Sequence, residues 1–595
     1  MRRKNIYIVL FAVIAYTFSG CTDFLDTRMD TMQIPERMAT QSSTMNSFAN
    51  AYYAPMQYGF TVIDDNLFAA ASDEAMQTAP VSQVSFFNMG AISPDRNPLD
   101  YLYSNYFEGI RAAYFYLDYA KDGENFLALN SDTAAVIGPD GTIINITPRL
   151  DYQRDVRQLN WRRAEALIAV AFYYTELIKM YGGVPIITDA LNLNPDMGKI
   201  SGSSYDAVVE HIVSLIDNNV DKLNTDWRVR IDNDVDWNFR TNSGRFDKTS
   251  ALAIKSRALL HAASPRNNPN NDVTKWRRAA QAAYDVIRVR EEIFTKGFGF
   301  GATLTPADPK MPENKNYNAY FLGVASTEDL QSIFLIRKAQ GRAMEVANYP
   351  VGTRGGNSGV TPSQNLVDAY EFIGPELPNN PYANRDPRLQ ASIVVNGSEW
   401  NGSLDFDQSP GGRFDMSVDG ASKTGYYLKK WLTPNMSLIE TTNADHVWPV
   451  YRYAEILLNY AEAMNEAYGP DDAAEFGLTA RQALMEVRNS ASTDLPPVTT
   501  TNRDEFRSAI KHERQVEFAF EDHRYWDLIR WGDAPTVLNQ PIRGVVVGKN
   551  SAGDYTYQYR TVANRVFLSH QIYLPFSRNE ITNSGGTLSQ NNGYN

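Results

Sequence analysis

Between Arg162 and Tyr181 the small or apolar residues Ala164, Leu167, Ile168, Ala171, Phe172, Thr175 and Ile178 recur at spacings of three and four. That spacing sets them on one stripe of an α-helix and requires the stripe to be buried. Gly182-Gly183 ends the run, since glycine readily takes the left-handed conformation that closes a helix. Similar patterns return around Phe48 to Met56, Tyr106 to Tyr119, Tyr205 to Leu223, Thr249 to Ala263, Trp276 to Val289, Tyr451 to Ala467 and Thr479 to Val487. Their order and the short connections between some of them give up to four antiparallel pairs. Alanine-rich faces let such helices approach closely, and stacked pairs bury one continuous core. A strict repeat of about 34 residues is absent, so a regular repeat array is not implied.

A further helical stretch is expected from Glu505 to Trp531. It carries Arg514/Glu517, Glu521/Arg524 and Asp527/Arg530, each pair three residues apart with opposite sign, which reads as a helix laced by ion pairs along its own face. Between the helical blocks lie two long irregular regions, roughly 59–103 and 291–448, rich in Gly, Pro, Asn and aromatic residues. Loops held on a rigid scaffold are where binding surfaces usually form. Short strands are expected at Ser332 to Arg337 and around Val545 to Val547.

The N-terminus carries a second kind of information. Arg2, Arg3 and Lys4 precede a nearly unbroken apolar run from Ile6 to Phe18, and Ser19-Gly20 stand directly before Cys21, the only cysteine. An apolar run this short falls below the roughly 20 residues of a spanning helix, so residues 1–20 read as a lipoprotein signal peptide. Cys21 then becomes the first mature residue. A lone thiol there has no disulfide partner and offers acylation, and two or more acyl chains anchor stably to a membrane. Phe18 departs from the leucine usual in such cleavage sites.

Hydrophobic residues make up 43% of the chain, which is globular rather than disordered, and no second apolar run reaches membrane length. The formal charge of -13, with no basic cluster beyond the signal, argues against nucleic acid as a partner. Catalytic and metal signatures are missing. No His-Glu-x-x-His, cysteine pair or evident histidine ligand set occurs. Gly297 to Gly301 lacks the spacing of a dinucleotide loop, and Gly356 to Val360 lacks the last glycine of a nucleophile elbow. Asp405 and Asp407 lack the glycine and closing glutamate of a calcium loop, so no obligatory ion or cofactor is expected. What remains is binding chemistry. The 34 tyrosines, many in Asn/Gly/Pro-rich stretches, favour recognition of a ligand with both polar and apolar faces.

Several stretches stand out in order: Asn160-Trp161-Arg162-Arg163-Ala164-Glu165-Ala166 with Tyr181-Gly182-Gly183-Val184-Pro185, Lys255 to Leu260 running into Ala263-Ser264-Pro265, and Thr361 to Val367. Arg385-Asp386-Pro387-Arg388, Arg452 to Leu458, Glu513-Arg514 through Trp531, and Leu574-Pro575 through Gln590-Asn591 follow. Together they resemble the SusD/RagB family of surface glycan-binding lipoproteins, and Cys21 to Asp26 resembles that family's usual start. The resemblance implies a mainly α fold, with tetratricopeptide-like helix pairs, long irregular loops and a few short strands, as one domain over residues 21–595 with ligand-face insertions at about 59–103 and 291–448. It also implies a non-enzymatic, lipid-anchored protein on the outer face of the outer membrane, acting as the lid of a SusC-like TonB-dependent transporter. The cargo would be an oligo- or polysaccharide, or a peptide as in the RagB branch. A surface glycoside hydrolase is the alternative from another class, and it would need a carboxyl pair across a cleft.

The family often places ligand contacts after a Ser-Asp-Glu segment, matched by Ser72-Asp73-Glu74. Sugar rings pack their C–H faces on aromatics while hydroxyls take planar polar partners. The expected contacts are therefore Asp73, Phe87, Asn88 and Tyr101 in the first irregular region and Phe300, Tyr317, Tyr320 and Trp400 in the second. No tryptophan falls in the first region.

Overall fold

The computed structural model describes residues 47–594 apart from 191–199, 228–241, 297–316 and positions within 125–146, 324–330, 404, 441 and 492–493. The signal segment, Cys21, Phe300 and the Gly297 to Gly301 loop lie outside the described residues. The chain forms two compact units, one of residues 1–49 and 116–159 and a larger one of 50–115 and 160–595. In the smaller, the described part holds the short antiparallel pair β2 (Val136–Ile137) and β3 (Ile143–Asn145) between helical segments.

The larger unit is built on helices, numbered in chain order: α1 (Asp100–Ala120), α2 (Thr147–Tyr181), α3 (Tyr205–Asp217), α4 (Lys248–Ala263), α5 (Val273–Lys296), α6 (Tyr453–Ala467), α7 (Ala480–Ala491), α8 (Arg503–Glu517) and α9 (Arg524–Trp531). The first and second extend across the boundary of the smaller unit. Helix α4 packs against α3 and α5, α5 against α6, and α6 against α7 and α8. Local chemistry sets their starts. Ser204 Oγ accepts from the Ala207 N–H before α3, and Asp247 with Ser250 forms a reciprocal capping box before α4. The expected helix at Phe48 to Met56 reduces to a short helical turn with a 3-10 turn at Asn50–Tyr52, because Pro55 disfavours helical backbone in the residue before it.

The expected stripe on α2 is buried except at Leu167, which is partly exposed, and so is much of the rest of its circumference: Ala166, Ala169 and Val170 are as inaccessible as Ile168 and Ala171. Close approach is enforced at one position. A Cβ on Gly109 of α1 would stand 2.3 Å from the Tyr173 ring, while the Tyr173 hydroxyl donates to the Tyr52 carbonyl at 2.7 Å. Gly109→Ala is therefore expected to destabilise by about 1–3 kcal/mol through overpacking, checked by urea unfolding.

The strands of the larger unit are β1 (Ala75–Gln77), β4 (Ser332–Arg337), β5 (Val360–Pro362), β6 (Ile393–Val394), β7 (Tyr427–Leu428), β8 (Val447–Arg452), β9 (Ile542–Lys549) and β10 (Tyr555–Ala563). They pair antiparallel in twos: β1 with β5, β4 with β8, β6 with β7 and β9 with β10. The first three of these pairs tie a part of an irregular region to another part or to the scaffold, whereas β9 and β10 form a hairpin outside both regions. Strand β4 matches the expected segment end to end, while β9 extends the expected 545–547 in both directions.

The stretch expected as one helix from Glu505 to Trp531 is two, broken at 518–523, where Phe520 and Asp522 take positive φ of 63° and 61°. The break lets the Phe520 carbonyl accept from Trp431 Nε1 at 3.1 Å and turns Glu521 toward Lys430 and Arg452. Tertiary bonding thus outweighs local helix propensity. The ion pairs also differ from the expected ladder along one face. Arg514 binds Asp527, Glu521 binds Arg452 and Lys430, and Arg524 binds Asp73; Asp527–Arg530 alone of the three expected pairs forms. Most of these groups are buried, so the segment anchors the core instead of presenting a solvated face.

Candidate functional site

Most tyrosines of the irregular regions are not available to a ligand. Tyr317 donates to the Glu517 carbonyl and receives Lys430 Nζ, Tyr320 shares a hydrogen bond with Ser332, and both rings pack against Phe321. Trp400 is 2% exposed and meets Tyr349 edge-on. Phe87 is buried between Phe68 and Tyr525. Asp73 is held by Arg524 at 2.8 and 2.9 Å, and its backbone carbonyl accepts from Ser363 Oγ. Burial alone would raise the Asp73 carboxyl, but Arg524 outweighs it and keeps the group below its ordinary value. Asn88 is half-buried, with Nδ2 donating to the Ala70 carbonyl. Tyr101 is different: it is 40% exposed, with its hydroxyl on the Val62 carbonyl at 2.8 Å and Gln57 at 3.1 Å. Of the seven candidate contacts among the described residues, Tyr101 and Asn88 are the ones with surface to offer, and the seven do not gather into one exposed cluster.

Among the described tyrosines, Tyr559 at 48% is the other exposed one, and it belongs to a row. Strand β10 alternates Tyr555, Tyr557 and Tyr559 with Thr556, Gln558 and Arg560, which puts three rings on one face. Valine-rich β9 supplies the partner strand, in the register Tyr555↔Lys549, Tyr557↔Val547 and Tyr559↔Val545. The connecting turn is closed by Asn550, whose side chain accepts from the Ala552 and Asp554 N–H groups, with Gly553 at φ 89°.

The tyrosine face is bordered by polar groups at defined distances. Tyr555 donates to Asp405 at 2.8 Å, and Lys549 lies 4.9 Å from the Tyr555 ring centre. Half-buried Tyr557 accepts from Asn396 at 3.3 Å and meets Tyr382 edge-on at 5.5 Å. Around Tyr559 stand Asp368, Arg385 and Glu376, which act on its hydroxyl electrostatically, and Arg543 pairs with Asp368 at 2.8 Å. Asp407, considered above for calcium, is engaged by Lys549 and Ser409. The result is a half-open aromatic band with carboxylates, guanidiniums and an amide at its edges. The alternation Tyr-Thr-Tyr-Gln-Tyr was the sequence signal for it: a period of two places all three rings on one side of a strand.

A second feature is internal. A cavity of about 100 Å³ is bounded by Glu176 and Lys179 of α2, His261 of α4, Asp522, His523 and Trp526. Its neighbours Glu455 and Asp527 are tied up by Arg257 and by Arg514 with Arg530. Asp522 Oδ1 accepts no hydrogen bond from a described residue. Burial pushes the Asp522 carboxyl up to about 7, against the pull of Lys179, and burial together with surrounding guanidiniums holds His261 and His523 neutral.

Known proteins place this architecture. Residues 331–594 match the SusD family model. A SusD-like protein P38 of Formosa agariphila is 37% identical over 184 residues, 30% of this chain and 35% of that protein, so the match spans about a third of the curated relative. A SusD-like protein from Bacteroides fragilis superposes with a TM-score of 0.69 at 20% identity, covering 94% of this chain and 98% of its own. A SusD-like carbohydrate-binding protein of the same species gives 0.67 at 19% identity, over 93% and 99%. At these identities the two structures establish a shared, mainly helical fold along nearly the whole chain. The match of residues 331–594 to the family model, with the Formosa relative beside it, assigns the C-terminal part of this chain to the SusD/RagB family, and the fold that these proteins share runs through nearly all of the chain.

Proposed function

We infer that this protein binds an oligo- or polysaccharide without transforming it, and that the tyrosine band of β10 is a principal contact surface. The observation that carries the reading is the row Tyr555, Tyr557 and Tyr559 with Asp405, Asn396, Asp368 and Arg385 at its margin. Flat rings give apolar faces for sugar C–H groups, and planar polar groups beside them match ring hydroxyls. A fold neighbour described as a carbohydrate-binding SusD-like protein supports the same ligand class. Tyr101 and Asn88 form a second contact area in the first irregular region.

Cys21 carries the acyl anchor in this reading, which holds the protein at the outer membrane facing outward. No helix among the described residues is long and apolar enough to cross a membrane. The partner is a SusC-like TonB-dependent transporter that receives the glycan. Calorimetry against a polysaccharide panel tests the ligand. Tyr559→Ala is expected to weaken binding about two- to tenfold, the worth of one aromatic contact, with unfolding unchanged. Silence across the panel with binding of purified peptides would replace the glycan by a peptide cargo.

A further inference from the structure

The outer edge of β10 is open. Among the described residues no backbone group from Tyr555 to Ala563 bonds to anything beyond β9, whereas the far edge of β9 is covered, with the Val545 N–H donating to the Thr424 carbonyl at 2.8 Å. That bond also fixes which way the ladder faces. If the Val545 N–H points away from β10, then Val545↔Tyr559 is a non-hydrogen-bonded pair, as are Val547↔Tyr557 and Lys549↔Tyr555. The N–H and C=O groups of Tyr555, Tyr557 and Tyr559 therefore project from the open edge. Natural edge strands are usually blunted by lysine, proline, a bulge or a cover. From Tyr555 to Thr561 this one runs in constant register without proline or bulge, and its one charge is Arg560.

We propose that this edge pairs with the same edge of a second copy of the chain, antiparallel and centred on Tyr557. Charge selects that register. Centring on Tyr557 sets Arg560 opposite Asp554 of the second copy at both ends of the pairing, and both side chains are exposed. Centring one residue later leaves Arg560 opposite Thr556. In the chosen register Tyr557 faces its own counterpart and Tyr555 faces Tyr559, so the outward backbone groups meet as hydrogen-bonded pairs. Gln558 lies opposite Thr556 on the other face. The two hairpins become one four-stranded sheet, and the tyrosine rows of both copies join into a continuous band. The pairing rests on the backbone edge and the charges, independently of what the rings bind.

Sedimentation velocity on the mature chain tests it, together with amide exchange at rising concentration. The expected result is a reversible dimer in which the amides of Tyr555, Tyr557 and Tyr559 gain protection with concentration, while those of Thr556, Gln558 and Arg560, already bonded to β9, do not change. Arg560→Asp and Asp554→Arg should each weaken association tenfold or more, roughly, by setting like charges opposite, and the double exchange should restore it. Tyr557→Pro, which removes an outward N–H and leaves the β9 ladder intact, should give a monomer. A chain that stays monomeric up to about 1 mM, or a dimer indifferent to all of these changes, overturns the proposal.

Discussion

Replacing Arg388 by methionine is expected to lower the free energy of unfolding by about 3–5 kcal/mol, enough to unfold a marginally stable domain. Arg388 is 1% exposed and contacts three carboxylates: Asp386 at 2.7 Å, Glu513 at 2.6 Å and Glu517 at 2.7 Å. Glu513 and Glu517 keep a second cation each, Arg488 and Arg452, whereas Asp386 loses its ion-pair partner. A buried carboxylate without a counter-charge carries its full desolvation penalty, and the methionine's added apolar contact is too small to offset it. The control is Arg278→Ala. Its pair with Glu210 is solvated on both sides, so its loss should cost less than about 1 kcal/mol. Urea titrations of both variants measure the difference, and equal, small effects would contradict a tightly coupled core network.

The second large effect concerns pH. Asp522 has a folded pKa of about 7 against about 3.9 in an unfolded chain. Between those values the native protein holds a proton that the unfolded chain has released, so stability falls as pH rises, by at most about 1.4 kcal/mol per unit. The stabilisation from this group is complete below about pH 4 and gone once the pH has passed about 7. Asp522→Asn carries no titrating proton in either state and should flatten this part of the profile. The stability of wild type relative to the variant should therefore fall by about 2 kcal/mol between roughly pH 5 and 8 in paired urea titrations. The figure stays below the limiting slope because above about pH 7 the group is ionised in both states.

How far these features were legible in the sequence differs from residue to residue. The helical faces at Thr249 to Ala263 and Tyr451 to Ala467 could be read because a helix brings residues three and four apart onto one side whatever surrounds it. Strand β4 could be read from its β-branched and aromatic run. Tyr555, Tyr557 and Tyr559 carry an equally regular period-two signal, but it lies outside the irregular regions in which ligand contacts are expected. The reverse holds for Tyr317, Tyr320 and Trp400. Their loop setting resembled that of exposed contacts, yet Tyr317 is tied to Glu517 and Lys430, Trp400 meets Tyr349, and Tyr320 is held against Phe321 and Ser332. Burial depends on what returns to cover a loop, and no local pattern encodes that.

The residues alone were enough to place most helices, whose periodicity and caps are set by neighbours within a turn or two, but not the break at 518–523 or the shortened turn at Asn50–Tyr52. They also determined the family and the general form of a helical scaffold bearing long loops. Only the tertiary structure decided which charge meets which. Arg388 finds Glu517 at a separation of 129 residues and Arg257 finds Glu455 across 198. The physical reason is that a buried ion must have a partner but can take it from any segment that folding brings within about 3 Å, so the demand is local and the supply is not.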